Sequence, residues 1–201
     1  MLIDNVSNVV TVQTPSMLSY YYGMPKTCLT SIMEAIKPYI ILERTNVDMH
    51  PKGLKWTTIR NPFARLYSCW CDKVGDNPRR TQFILGDWID EGVSFPEFVD
   101  MAVACPDNQA DPHFAGQCWL MNNGNFSPEV VLRCEIIQQR WQWFSRSIGI
   151  SSSLPELNVT RNDILDHDSH VHAYTKTIQE KIVGRYDEDF CSFRYSKICC
   201  M

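Results

Sequence analysis

No stretch of this chain approaches the roughly 20 consecutive apolar residues needed to cross a bilayer, and the opening Met1-Leu2-Ile3-Asp4-Asn5 lacks the basic segment and apolar core of a secretory leader. The sequence therefore reads as soluble, neither anchored nor secreted. Positive charge is also scarce: 19 Lys and Arg against 23 Asp and Glu leave a net charge of −4. That balance argues against nucleic acid or an anionic membrane as a partner, because both call for a broad basic face. The Gly-rich loop G-x-x-x-x-G-K-[ST] is missing, and no strand leads into an evident Mg²⁺-binding carboxylate, which disfavours an ordinary P-loop phosphotransferase. Internal repeats and low-complexity tracts are absent as well.

Cysteine is plentiful, with nine residues, but nothing in their spacing forms a framework. The number is odd, Cys69/Cys71 and Cys199/Cys200 are too close for ordinary bridging within each pair, and no second C-x-x-C or His-x-x-x-His completes a zinc site. Buried free thiols in a reducing, cytoplasmic compartment are the expectation. Cys28 is the exception, since its place beside Lys26 at a helix N-terminus favours a reactive thiolate.

Two segments carry chemistry. In the first, Tyr20-Tyr21-Tyr22 reads as a strand that breaks at Gly23-Met24-Pro25 and gives way to Lys26-Thr27-Cys28-Leu29-Thr30-Ser31 and a helix. Unpaired N–H groups at a helix start, a lysine and several hydroxyls together suit a phosphate or sulfate. In the second, Lys55–Arg60 reads as a strand, Asn61 as an N-cap and Pro62 as the first helical residue. Arg60 then stands at the carboxyl end of a strand, where open α/β sheets bind ligands, and Ser68 lies two turns into the following helix. A guanidinium and a hydroxyl so placed suit a second phosphate.

The remaining pattern places a β-segment near Met17–Tyr22, a helix over Thr30–Tyr39, a strand at Ile40–Arg44 and a helix over Pro62–Val74. Further helices follow at Ser94–Ala104, Ile136–Ile148 and Thr175–Tyr186, with a strand at Val130–Arg133. Strands alternating with helices imply an α/β fold: a P-loop-like parallel β-sheet flanked by helices, in one domain over residues 1–201.

Taken in order, these residues resemble the sulfotransferases that use 3′-phosphoadenosine 5′-phosphosulfate (PAPS), specifically the carbohydrate, Golgi-type branch (sulfotransferase family 2-like). Pro25-Lys26-Thr27-x-x-Thr30-Ser31 is similar to that family's loop for the 5′-phosphosulfate. Arg60-Asn61-Pro62-x-x-Arg65-Leu66-x-Ser68 is similar to its 3′-phosphate motif, with Arg60 and Ser68 the implied ligands. Asp111-Pro112-His113-Phe114-x-x-Gln117, Arg133-Cys134-Glu135, Leu154-Pro155-x-Leu157-Asn158-Val159-Thr160-Arg161 and Tyr186-x-x-Asp189-Phe190 resemble its later landmarks. The resemblance implies PAPS as co-substrate, bound by Pro25, Lys26, Thr27, Cys28, Leu29, Thr30, Ser31, Arg60, Ser68 and Arg161, with no metal. It also implies a hydroxyl-bearing acceptor, a saccharide in this branch. Cys28 and Leu29 depart from the family loop, which often carries a small residue and a serine there. Because relatives of this kind are typically anchored Golgi proteins, the missing anchor suggests a soluble bacterial or viral version, or a truncated chain.

Sulfuryl transfer needs a cation on the leaving-group side and a base that reaches the acceptor hydroxyl. Lys26 suits the first role. Histidine suits the second, and of five histidines His113, in the Asp-Pro-His-Phe element, and His50, just before the Arg60 strand, stand as equal candidates. His167, His170 and His172 read as a solvated loop, and Glu135 as a structural partner. The alternative to an active enzyme is a degenerate nucleotide-binding or structural protein that keeps the fold.

Overall fold

Short runs of β-branched and aromatic residues form the strands, as their side-chain preference for a pleated surface requires. The computed structural model describes residues 9–43, 52–75, 93–157 and 174–199. The chain divides into two compact units, Met1–Arg60 with Trp119–Asn158 and Asn61–Cys118 with Val159–Met201.

The first unit is built on a five-stranded sheet: β1 (Val9–Gln13), β2 (Leu18–Tyr22), β3 (Ile40–Glu43), β4 (Leu54–Ile59) and β5 (Val130–Arg133), in the order β3-β1-β2-β4-β5. β2, β4 and β5 are parallel, as the alternation of strands and helices implies. β1 is antiparallel to both β2 and β3, so the sheet is mixed rather than wholly parallel. Sequence patterning misses β1, because Val9-Val10-Thr11-Val12 shows no polar alternation: both its faces are covered, and a strand buried on both sides loses that signal.

One face of the sheet, carrying Val10, Val12, Tyr21, Trp56 and Leu132, packs with Ile32 and Ile36 of α1 (Leu29–Ile36) and with the aromatic side of a later helix. Trp56 sits 4.4 Å from Tyr21 and 4.8 Å from Phe144, ring centre to ring centre. α1 stops at Ile36 rather than running to Tyr39, because Pro38 turns the chain into a 3₁₀ segment over Lys37–Tyr39. At the other end of this core, Gly149 holds φ +78°, and a Cβ there would meet the Ser16 hydroxyl at 2.1 Å, so only glycine closes that helix end.

In the second unit α2 (Pro62–Trp70) begins as its sequence predicts: the Asn61 side chain accepts a hydrogen bond from Phe63 N at 2.9 Å, with Pro62 at the first helical position. A π-turn over Cys71–Gly75 follows. α3 (Phe95–Ala104) starts with a Ser94/Glu97 capping box. α4 (Gln117–Asn123) begins here and continues into the first unit, which also holds α5 (Ile137–Ser147). α6 (Lys176–Arg185) and α7 (Asp187–Ser192) complete the second unit. Phe63, Tyr67, Trp70, Phe95, Tyr174 and Phe190 form its aromatic core. Among the described residues no helix is long and apolar enough to cross a membrane.

The expectation of free thiols throughout is corrected: Cys28 and Cys134 are joined by a disulfide. Sequence spacing hides the pair because 106 positions separate the two residues, and only the sheet brings them together.

Candidate functional site

The first unit carries the loop between β2 and α1, the expected anion site. Because β2, β4 and β5 are parallel, their carboxyl ends lie on one edge, and the loop after β2, Arg60 after β4 and Cys134 after β5 share it. The loop closes through the Thr27 hydroxyl, which donates to Met24 O at 2.9 Å and lies 3.1 Å from the Thr58 hydroxyl. Thr58 in turn lies 2.9 Å from the Tyr21 hydroxyl. All three side chains are fully buried. Burial pushes the Tyr21 phenol well above its usual range and keeps it neutral, so this chain of hydroxyls is a scaffold and not a charge relay.

Lys26 and Cys28 both hold positive φ, +68° and +60°. Side-chain-bearing residues seldom adopt that conformation, and clusters of such residues mark ligand-binding loops. It also gives the physical reason a small residue suits the position of Cys28.

The loop's side chains divide by task, and several sequence expectations change accordingly. The Thr27 hydroxyl faces inward and is not available to an anion. The Cys28 thiol is spent in the disulfide, so the expected reactive thiolate does not exist in this state. Leu29 packs beside Gly23, where an added Cβ would lie 2.5 Å from Leu29 Cδ1. Its side chain is therefore a packing group and not a ligand. The Ser31 hydroxyl is engaged by Leu157, accepting from its N at 3.2 Å and donating to its O at 3.4 Å. Thr30 is exposed, and Pro25, Lys26 and Arg60 are half-buried.

The second unit carries His113. Asp111 Oδ1 accepts from His113 N at 2.8 Å and lies 2.5 Å from Nδ1. With a carboxylate against Nδ1, the tautomer of the neutral ring carries its proton on that nitrogen and leaves Nε2 as the acceptor, the form a general base uses. The His113 side chain is 29% exposed. The sequence assigns Asp111 no role of its own, although the Asp-Pro-His spacing, an Asx turn closing on the histidine, contains the signal.

Five further residues hold this loop. Arg65, the second arginine of the motif that follows β4, is only 2% exposed and points inward. It donates from Nη1 to Ala115 O at 2.6 Å and from Nη2 to Pro112 O at 2.7 Å. Burial lowers its pKa, and the charge of Asp189 opposes that shift. Asp189 accepts from Gln117 N at 2.9 Å and from Cys118 N at 2.7 Å, while Tyr186 donates to Phe114 O at 2.6 Å. Arg185 meets Asp107 at 2.5 Å, and Asp107 accepts from Gly116 N at 2.7 Å. Burial, with Asp189 beside it, pushes the Cys118 thiol up to about 12 and leaves it inert. Ser68, on α2, is buried. His50 and Arg161 lie outside the described residues, as do His167, His170 and His172. Among the described residues no group of three His, Cys, Asp or Glu could hold a metal ion.

A parallel-strand edge with a lysine-bearing loop, a helix N-terminus and an arginine just after the neighbouring strand is an arrangement suited to an anionic group. A family model described as Sulfotransferase family matches residues 21–196, and the chain belongs to that family. Neither the curated proteins nor the solved structures contain a match to it.

Proposed function

We propose that this protein transfers the sulfuryl group of PAPS to a hydroxyl of an acceptor, in this branch a saccharide. The observation that carries the reading is the anion loop between β2 and α1, with Lys26 at positive φ, and Arg60 at the end of the adjoining parallel strand β4. The donor set fits a doubly anionic nucleotide: backbone N–H groups and Lys26 suit the 5′-phosphosulfate, and the Arg60 guanidinium suits the 3′-phosphate. When bound, PAPS supplies an activated sulfuryl group on a phosphate leaving group.

His113 Nε2 accepts the acceptor hydroxyl's proton as its oxygen bonds to sulfur. Lys26 and the first N–H groups of α1 meet the negative charge that gathers on the bridging oxygen as the S–O bond to phosphate breaks. Arg60 holds the nucleotide in line for that displacement.

Replacing Arg60 by Ala is expected to weaken binding of 3′-phosphoadenosine 5′-phosphate by about 2–4 kcal/mol, the loss of a charge-assisted pair. Unchanged affinity in calorimetry would remove Arg60 from the site. Lys26→Ala is expected to lower turnover under saturating PAPS more than it weakens nucleotide binding, because its charge matters most in the transition state. Equal turnover numbers would leave the lysine a binding group at most.

One observation favours the second reading, a nucleotide-binding protein without transferase activity: Leu29 packs where related loops place a hydroxyl, so the sulfonate end has fewer donors. Tight nucleotide binding with no transfer from radiolabelled PAPS to any member of an acceptor library would establish it. A cytoplasmic setting, expected from the sequence, would keep Cys28 and Cys134 reduced, and a disulfide fits an oxidising compartment instead.

A further inference from the structure

Cys28 and Cys134 tie the anion loop to the far side of the sheet edge. β2 and β5 are separated by β4, and neighbouring strands lie about 4.8 Å apart, so the ends of β2 and β5 stand roughly 10 Å apart. The Cα atoms of Cys28 and Cys134 are 6.1 Å apart. The loop after β2 must therefore lean across the end of β4, the strand that delivers Arg60.

Cys28 is also the N-cap of α1: it sits at φ 60°, ψ 20°, and its carbonyl accepts the helix's first bond from Ile32 N at 3.0 Å. No side chain caps that helix start. The positive φ of a residue with a side chain persists only where its surroundings enforce it. Thr27 is anchored through Met24 and Thr58, but those bonds end one residue short of Cys28. Both cysteines are half-buried, within reach of a reductant, whereas Cys69, Cys71 and Cys118 are buried.

We propose that the Cys28–Cys134 disulfide is a redox latch on the anion loop. The oxidised pair holds the loop and the start of α1 in their ligand-binding shape, and reduction by a dithiol releases them. A thiolate of the dithiol attacks one sulfur, the Cys28–Cys134 bond breaks and a mixed disulfide forms. The reagent's second thiol then displaces the protein sulfur. Two electrons and two protons pass to the protein, leaving two cysteine thiols and the reagent as its own disulfide.

The nucleotide arm of the test rests on the proposed function; the exchange arm does not. The full chain, air-oxidised or treated with dithiothreitol, is compared by thiol counting, by amide hydrogen exchange and by calorimetry with 3′-phosphoadenosine 5′-phosphate. Reduction is expected to speed exchange over Leu29–Ile32 by about tenfold while α5 is unaffected, and to weaken the nucleotide by about tenfold. Cys134→Ser, which leaves every loop residue in place, is expected to match reduced wild type with or without dithiothreitol.

Faster loop exchange without nucleotide binding in either state would uphold the latch and remove the nucleotide assignment. The latch is overturned if exchange and affinity are equal in the two states once thiol counting shows the bond open. It is equally overturned if reduction abolishes protection throughout the chain, or if both cysteines remain thiols under oxidant.

Discussion

Alanine at His113 is expected to lower turnover by about 10²–10⁴-fold, the usual worth of a positioned general base, while nucleotide affinity stays nearly unchanged. The expectation rests on the Asp111 carboxylate, which accepts from both the backbone N and the ring of His113 and so reserves Nε2 for the acceptor's proton. Asp111→Asn is expected to leave the ring in place but no longer dictate its tautomer, lowering turnover and altering its pH profile with little change in nucleotide affinity. His50→Ala should then behave much like wild type. Initial rates under saturating PAPS, with any acceptor found active, check the set. Full activity in both single histidine variants would transfer the role to Glu135 or to a substrate-assisted route.

Removal of the Asp189 carboxylate by Asp189→Ala is expected to cost about 3–5 kcal/mol of stability, read as a lower urea midpoint at constant slope. The side chain is 2% exposed and accepts from the N–H groups of Gln117 and Cys118, which would be left buried without it. The variant also strips a compensating charge from the buried Arg65 guanidinium. Asp189→Asn, which keeps one acceptor oxygen, should fall between wild type and alanine. An unshifted midpoint for the alanine variant would mean that these amides find other partners.

Asp189 and Arg65 also explain two landmarks whose purpose the sequence does not reveal. Tyr186-x-x-Asp189 and the second arginine of the Arg60-Asn61-Pro62-x-x-Arg65 segment do not reach for an anion. They bond to the main chain of residues 112–118, on either side of the loop that carries His113. A buried arginine that caps two carbonyls and a solvent-facing arginine look alike in one dimension, because what separates them is which side chains surround them.

What the sequence determined by itself was local. The break at Gly23-Met24-Pro25, the Asn61-Pro62 helix start, the β5 strand at Val130–Arg133 and the Gly149 stop all follow from steric and capping rules that act over a few residues. The order of the motifs was enough to mark the family, since each motif is itself a short segment. Only the tertiary structure decided what those residues face. It turned the Thr27 hydroxyl toward Thr58 and laid Leu29 beside Gly23. It added β1 antiparallel to β2 and joined Cys28 to Cys134. Each of these depends on which strand lies beside which, and strand order is set by burial of whole faces, a long-range balance that no short window of sequence contains.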